Sequence, residues 1–342
     1  MKEVYLYKKL KDNQVQCQTC AHYCIILPGQ RGVCGARENR NGILYILNYG
    51  KIVAKNIDPI EKKPFFHFLP GTSAYSIASV GCNFACQNCQ NWDISQEPKI
   101  HAHSQIIGQD LTPEDIVEDA KANNCPSIAY TYTEPTIFLE FALDTMKLAK
   151  KQGIKNIFVS NGFMSEESAK AVIPYLDADN IDLKGFSDDF YHKICQGKLE
   201  PVLNTAKLMK KSGVWLEITT LLIPGFSDSE EILKSIAKLI FKELGAETPW
   251  HVTQFCGALA WRLQYLPDTP LETLEKAWKI GKKAGLKYVY TGNAPGLPSE
   301  NTICPKPKCE TICIKREGYS VRRNDKKGKC PKCGTKLNLI LK

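Results

Sequence analysis

The stretch that decides the fold is Gly81-Cys82-Asn83-Phe84-Ala85-Cys86-Gln87-Asn88-Cys89, in which three cysteines have C-x3-C-x2-C spacing. The residues before it, 74–80, are apolar and β-rich, and they predict a strand that ends at the motif. Loops at the carboxyl ends of barrel strands are where α/β barrels build their active sites. The position of the three thiols is therefore as informative as their spacing.

From residue 72 to 295 the sequence alternates short β-rich runs with longer helical runs. The predicted strands are 74–80, 127–132, 154–160, 180–183, 214–223, 251–255 and 288–291, and the predicted helices are 112–123, 135–152, 166–175, 200–211, 228–244 and 271–284. Crossovers of this length give parallel strands covered by helices. Six or seven such units predict an α/β fold, a partial (β/α)6-type barrel over residues 61–300.

The chain contains 15 cysteines, and its first residues lack the profile of a secretory signal. We therefore expect a cytoplasmic protein whose clustered thiols bind metal rather than form disulfides. Cys82, Cys86 and Cys89 supply three thiolates, whereas an electron-transfer [4Fe–4S] cluster takes four. Three thiolates leave one iron open for substrate, as catalytic metal sites do. No apolar run approaches 18 residues, so no membrane segment is expected.

The first block, residues 1–60, has too few apolar residues to form a stable hydrophobic core unless a bound metal stabilises it. It holds Cys17, Cys20, Cys24 and Cys34, four thiols within 18 residues, which predicts a bound metal. Spacing leaves two alternatives open, zinc or a second [4Fe–4S] cluster. His22 lies among these cysteines and could replace one ligand.

The last block, residues 301–342, has two cysteine pairs around a hairpin-length segment, which predicts a zinc ribbon. The pairs are Cys304 with Cys309 and Cys330 with Cys333, and Cys313 competes as a ligand from a hairpin position that looks buried. Twelve Lys/Arg against three Asp/Glu give this block the whole net charge of +9. Its basic surface is a candidate contact for an acidic partner or RNA.

The 82–89 motif resembles the signature of the radical S-adenosylmethionine (SAM) superfamily. Other segments resemble one subfamily, the radical SAM enzyme of the AmmeMemoRadiSam system, which is related to pyruvate-formate-lyase-activating enzymes. Besides the first cysteine group and the terminal ribbon, the segments are 32–35, 58–64, 67–71, 89–92, 132–135, 160–162, 182–184, 224–228 and 291–293. Together they span nearly the whole chain.

The resemblance implies an iron–sulfur oxidoreductase with a [4Fe–4S] cluster on Cys82, Cys86 and Cys89. Its open iron would bind SAM, and reductive cleavage would give a 5′-deoxyadenosyl radical that abstracts hydrogen from an unidentified protein or small molecule. The implied SAM contacts are Glu134 for the amino group, Ser160, Asn161, Asp182 and Lys184 for the ribose and carboxylate, and Gly225 in the turn at the adenine. Beyond the cluster, His251 is a weak catalytic candidate because it opens a predicted strand.

One departure from the superfamily pattern concerns the adenine. Members often carry an aromatic residue just before the third cysteine, whereas this chain has Asn88. The contact would then be made by the backbone or by another side chain, such as Phe84 or Trp92.

The implied partners are a one-electron reductant such as flavodoxin or ferredoxin, and Memo-type and AMMECR-type proteins. A close alternative is a glycyl-radical-enzyme activase, against which the added ribbon argues mildly. An alternative of a different class is a non-enzymatic, multi-zinc nucleic-acid-binding protein, which the basic charge of the ribbon suggests. The sequence has no base-reading element to support that alternative.

Overall fold

The computed structural model of the chain describes residues 1–101, 105–294 and 296–342. Its centre is an eight-stranded sheet in which strand order follows chain order. The strands are β1 (Ala54–Pro59), β2 (Ser73–Ala78), β3 (Ser127–Tyr130), β4 (Lys155–Ser160), β5 (Ala178–Asp182), β6 (Trp215–Leu222), β7 (Trp250–Gln254) and β8 (Val289–Gly292). Strands β2 to β8 are parallel, and β1 pairs antiparallel with β2 at the edge. Within the described residues β8 does not pair with β1, so the barrel is open.

Six longer helices cover the outer face of the sheet: α1 (Pro113–Ala122), α2 (Leu139–Lys151), α3 (Glu166–Val172), α4 (Leu199–Lys211), α5 (Glu230–Leu239) and α6 (Leu271–Lys283). Their starts follow from local chemistry. Thr112 accepts a hydrogen bond from Asp115 N while Asp115 caps Thr112 N, a reciprocal capping box with Pro113 in the first turn. The hydroxyls of Ser165 and Ser229 cap α3 and α5 by accepting from Ser168 N and Ile232 N.

The remaining helical segments are short: 3₁₀ turns at Ile60–Lys62, Pro135–Phe138, Gly257–Leu259 and Pro298–Glu300, single α turns at Trp92–Ser95, Glu97–Ile100 and Asp188–Phe190, and π turns at Tyr191–Cys195 and Ile240–Leu244. Two of them modify predicted helices. Residues 135–152 begin as a 3₁₀ turn before α2, and residues 228–244 end as a π turn in which Gly245 N donates to Ile240 O at 2.8 Å.

The predicted fold class, an α/β partial barrel, is confirmed. The sheet has seven parallel strands, one more than a (β/α)6-type barrel, and the antiparallel strand β1 was not predicted. The predicted division at residue 60 therefore does not fall where the sheet begins, because residues 54–59 already belong to it.

The N-terminal residues form two small antiparallel sheets beside the barrel. One contains Lys2–Glu3, Arg37–Arg40 and Ile43–Ile46, and the other contains Tyr7–Lys9, Val15–Cys17 and Ile25–Ile26. A two-residue pairing of Lys51–Ile52 with Gln109–Asp110 lies alongside. Val4, Val15, Leu44 and Ile46 are buried between the two sheets in a separate small core.

The C-terminal residues form a three-stranded antiparallel sheet of Thr302–Ile303, Ile312–Glu317 and Ser320–Arg323. This ribbon packs on the end of the barrel where the strands begin. Ile340 forms a bridge with Phe68, and Arg316, which is buried, donates to Phe66 O at 2.8 Å. The ribbon and the cysteine loop therefore lie at opposite ends of the barrel. No helix in the described ranges is long and apolar enough to cross a membrane.

Candidate active site

Residues 82–89 form an irregular loop directly after β2, at the carboxyl edge of the parallel strands. The chain turns into this loop through Gly81, whose φ is +105°. A Cβ at Gly81 would lie 3.1 Å from Cys34 O, so the position combines a left-handed backbone with a close approach of another chain segment.

The loop is held by hydrogen bonds from several directions. Phe84 O accepts from Lys99 Nζ at 2.7 Å and from Gln96 Nε2 at 3.1 Å. Two hydrogen bonds join the loop to the π turn at Tyr191–Cys195: Ala85 N donates to Cys195 O and Gln87 N donates to Ile194 O, both at 2.9 Å. A third joins it to the loop after β7, where Arg262 N donates to Gln87 O at 2.8 Å. These contacts fix the backbone that carries the three thiols.

The chemistry of the three thiols fits an iron–sulfur cluster. Burial raises the pKa of Cys82 and of Cys89, and a hydrogen bond with Cys195 together with burial raises that of Cys86. Two cations, Lys99 and Lys184, oppose these shifts. Metal binding would deprotonate all three thiols, and the nearby positive charges would stabilise the resulting thiolates.

The strands next to the loop bring two predicted SAM contacts to it. Glu134, after β3, is buried, and its Oε2 accepts from Asn161 N, after β4, at 2.8 Å. Asn161 Nδ2 in turn donates to Asn83 Oδ1 at 2.7 Å and lies 3.8 Å from Cys82 Sγ. Burial raises the pKa of Glu134, while Asn161 N and the hydroxyl and amide of Thr136 oppose that shift. These contacts connect one carboxylate to the cysteine loop through Asn161.

Asp182 and Lys184, after β5, form an ion pair of 2.8 Å. Burial disfavours the charge of Lys184, but Asp182, Cys86 and Cys195 outweigh burial and raise its pKa. Asn180, two residues before Asp182 in β5, donates to Pro64 O inside the barrel, so Asp182 faces the interior as well. The predicted pair therefore lies within the electrostatic reach of the cysteine loop.

Two predicted contacts have other partners in this structure. The hydroxyl of Ser160 donates to Asp179, a fully buried carboxyl on the opposite face of β5 from Asn180. This hydroxyl therefore faces the helices, and only the backbone of Ser160 remains available at the site. Gly225 has a φ of +77° and donates to Asp228 Oδ1 at 2.9 Å, so a turn requirement accounts for the glycine.

The aromatic candidates near the motif differ in position. Phe84 is buried against Phe163 with ring centroids 4.9 Å apart, so its ring belongs to the core. Trp92 is half exposed and stacks on Trp261 at 6.3 Å, which leaves it as the candidate for an adenine contact. Asn88 contains a buried side-chain oxygen without a hydrogen-bond partner among the described residues, and an amino group of a bound nucleoside would satisfy it.

The position of His251 argues against the prediction that it is catalytic. It lies near the start of β7, at the ribbon end of the barrel, where its Nε2 is 2.7 Å from Glu217 Oε2. Glu217 is fully buried and also accepts from Phe66 N and His67 N at 3.1 and 3.0 Å. His251 therefore helps to close the barrel end opposite the cysteine loop. Its position in the strand, not its residue type, decides this role.

The ribbon brings four thiols together in an arrangement that fits zinc. The sulfurs of Cys304, Cys309, Cys330 and Cys333 all lie within 4.8 Å of one another. Three of the separations are 3.5, 3.8 and 3.5 Å, close to the ~3.8 Å that follows from tetrahedral coordination with Zn–S bonds of ~2.3 Å. Cys313 is fully buried outside this set and donates to Thr311 O.

Sequence reasoning missed a buried charged cluster that contacts Tyr132, two residues before Glu134. Lys63 is buried, lies 2.7 Å from Asp58 and has its ammonium 4.0 Å from the centre of the Tyr132 ring. Burial lowers the pKa of Lys63 to about 8, although Asp58 opposes the shift. The charged residues within 58–64 could have indicated this cluster, because charged side chains that become buried need partners of opposite charge.

Comparison with known proteins identifies the same region. Residues 76–236 match the Radical SAM superfamily. The whole chain is 46% identical to an uncharacterized protein of Methanocaldococcus jannaschii, MJ0808, with 100% of both chains covered. It is 23% identical over 166 residues to the pyruvate formate-lyase-activating enzyme of Clostridium pasteurianum, covering 47% of this chain and 66% of the relative. A solved domain of a pyruvate-formate lyase-activating enzyme from Bacteroides vulgatus superposes with a TM-score of 0.42 at 19% identity, over 48% of this chain and 97% of that domain.

Proposed function

This chain belongs to the radical SAM superfamily, and from that premise we propose that it is an enzyme that cleaves SAM reductively at a [4Fe–4S] cluster held by Cys82, Cys86 and Cys89. The 5′-deoxyadenosyl radical formed in this way would abstract hydrogen from a protein or small-molecule substrate. Its homology to pyruvate-formate-lyase-activating enzymes covers less than half of the chain, so the substrate does not follow from that homology.

One observation supports the proposal above all others. The hydrogen-bonded chain Glu134–Asn161–Asn83 connects the ends of β3 and β4 to the cysteine loop. A carboxylate, an amide and three thiols from separate parts of the sequence thus meet at one edge of the barrel. A SAM molecule chelated through its amino and carboxylate groups needs this combination of a metal and polar groups at fixed positions.

The residues of the chain have separate roles in this scheme. When bound, the cluster supplies the electron that breaks the S–C5′ bond of SAM. Glu134 has lone pairs left after its bonds to Asn161 N and Thr136 and would accept from the SAM ammonium. Lys184 offers a positive charge to the carboxylate, and the unpartnered oxygen of Asn88 offers an acceptor to the adenine amino group.

A second candidate within the same chemistry is a glycyl-radical-enzyme activase. The 23% and 25% identities to pyruvate formate-lyase-activating enzymes favour it. An activase would produce a persistent glycyl radical on a partner polypeptide, which electron paramagnetic resonance (EPR) detects. A small-molecule enzyme would produce 5′-deoxyadenosine with no radical left on a protein.

The partners in the proposal are a flavodoxin- or ferredoxin-type reductant and, from the subfamily resemblance, Memo-type and AMMECR-type proteins. An acidic protein or RNA is a further candidate for the basic ribbon, and it would bind at the barrel end away from the cysteine loop. The ribbon would then position a partner without contacting the reacting atoms.

The test is SAM binding to the reduced cluster. EPR of the anaerobically reconstituted, reduced protein should change when SAM is added. Glu134→Gln should weaken the apparent SAM affinity about 10-fold or more, because a charge-assisted hydrogen bond contributes about 1.5–3 kcal/mol. Glu247→Gln, which alters an exposed carboxylate paired with Lys287, is the matched control. A reduced cluster whose spectrum does not respond to SAM would contradict the proposal.

A further inference from the structure

A second group of thiols surrounds a separate cavity in the N-terminal sheets. Cys17, Cys20, Cys24 and Cys34 all line it. Cys17 and Cys24 are brought together by strand pairing, with Cys17 N donating to Cys24 O at 2.9 Å. His22 also lines the cavity, but its Nε2 is 2.8 Å from Asn83 O, outside the thiol group. The four thiols therefore form the ligand set.

The separation of these thiols differs from that in the ribbon. In the described part of the chain, only the ribbon brings three or more ligand atoms within 4.8 Å of one another. The N-terminal thiols line one cavity but are more widely spaced than the ribbon thiols, and Cys82, Cys86 and Cys89 likewise do not all lie within 4.8 Å of one another. In a [4Fe–4S] cluster each thiolate binds a different iron, so the sulfurs lie further apart than around a single ion. Within this one chain, the N-terminal group therefore resembles the cluster loop and not the zinc ribbon.

We propose that Cys17, Cys20, Cys24 and Cys34 bind a second [4Fe–4S] cluster, and that this cluster transfers electrons. With four cysteines, every iron has a protein ligand and no position is left for substrate. Arg37, which is buried and paired with Glu140, lies beside Cys17 and Cys34 at the edge of this site.

The two thiol groups are neighbours in space. The backbone of Cys34 lies against Gly81, one residue before Cys82, since a Cβ at Gly81 would be 3.1 Å from Cys34 O. His22, between Cys20 and Cys24, reaches Asn83 O next to Cys82. One electron from a flavodoxin- or ferredoxin-type reductant could enter near Cys24, which is half-buried, and pass to the cluster in the 82–89 loop.

Iron counting tests the second cluster independently of SAM cleavage. Cys82→Ala, Cys86→Ala and Cys89→Ala are combined in the full chain, which is then reconstituted anaerobically with iron and sulfide. We expect about four irons and about four sulfides per chain in this variant, about half the wild-type content. The reduced variant should show a [4Fe–4S] EPR signal that does not change when SAM is added. Cys125→Ala combined with Cys256→Ala, at two isolated cysteines, should retain the full wild-type iron.

The contrary result is a triple variant that contains no iron and two zinc ions per chain, one in the ribbon and one at the N-terminal thiols. The N-terminal site would then be a structural zinc site. That outcome would leave SAM cleavage by the wild-type protein unaffected. Replacing all four N-terminal cysteines is a weaker test, because the small sheets could lose their fold. The triple variant avoids this problem because it leaves the N-terminal segment unchanged.

Discussion

Glu140→Gln should destabilise the protein strongly, because Glu140 forms a buried ion pair with Arg37 that joins the N-terminal sheets to α2. Both Arg37 terminal nitrogens donate to the carboxylate at 2.9 Å, and the two side chains are 2% and 0% exposed. The other acceptors of Arg37, Thr136 O and Ile137 O, are at 3.5 and 3.4 Å and cannot replace a carboxylate. Breaking a buried pair leaves an uncompensated charge, so the free energy of unfolding should fall by about 3–5 kcal/mol.

The assay is urea denaturation of the anaerobically prepared protein, followed by circular dichroism. Arg37→Met combined with Glu140→Leu removes both charges and should recover most of the lost stability, because apolar replacement of a buried pair is often neutral. Glu166→Gln, in an exposed pair with Lys170, is the control and should change nothing measurable. A Glu140→Gln variant as stable as this control would refute the reasoning, as would a double variant no more stable than the single one.

Three other perturbations have defined outcomes. Gly197→Ala should cost about 1–3 kcal/mol of stability and reduce iron binding, since its Cβ would lie 2.2 Å from the Phe84 ring. Gly213→Ala, which has open space around its Cβ but a φ of +81°, should also lower stability through backbone strain, yet leave iron content unchanged. Burial lowers the pKa of His67 from 6.5 to about 4, so stability present above pH 6.5 should be lost as pH falls through 4. Melting temperatures measured at a series of pH values should fall less between pH 6.5 and pH 4 for His67→Gln than for the wild-type protein. His192→Gln, at an exposed position, should show the wild-type decrease. Removing zinc from the ribbon with a chelator should lower the melting temperature and leave iron content unchanged, as metal and iron analysis would show.

The sequence predicted the barrel elements well where local chemistry decides them. Thr112, Pro113 and Asp115 specify the start of α1 by capping, and the structure places it there. Strand β1 was missed for a physical reason. It pairs with another strand on one side only, and Lys55 to Ile57 are exposed. Its sequence therefore lacks the alternation of apolar and polar residues by which a strand is predicted.

The candidate site shows the same division between local and tertiary information. The spacing of Cys82, Cys86 and Cys89 is a local property and is present in the sequence. The direction of a side chain on a strand is not, since a shift of one residue moves it to the other face. The resemblance implies Ser160 as a SAM contact and strand position suggests His251, but their partners, Asp179 and Glu217, come from neighbouring strands.

The proposal of a cluster rather than zinc at the N-terminal thiols also depends on tertiary structure. Four cysteines within 18 residues predict a metal, but a single ion and a cube of four irons can use the same sequence spacing. The distances between sulfurs are set by strand pairing and by contacts with the barrel.

The central claim, that Cys82, Cys86 and Cys89 form the site of SAM cleavage, is tested most directly by product analysis. The reconstituted protein is reduced, given SAM under anaerobic conditions and assayed for 5′-deoxyadenosine and methionine. We expect both products from the wild-type protein and from the Cys125→Ala, Cys256→Ala control, and neither from the variant with alanine at positions 82, 86 and 89. Undiminished 5′-deoxyadenosine from that variant would contradict the account, as would its absence from wild-type protein with a full complement of iron.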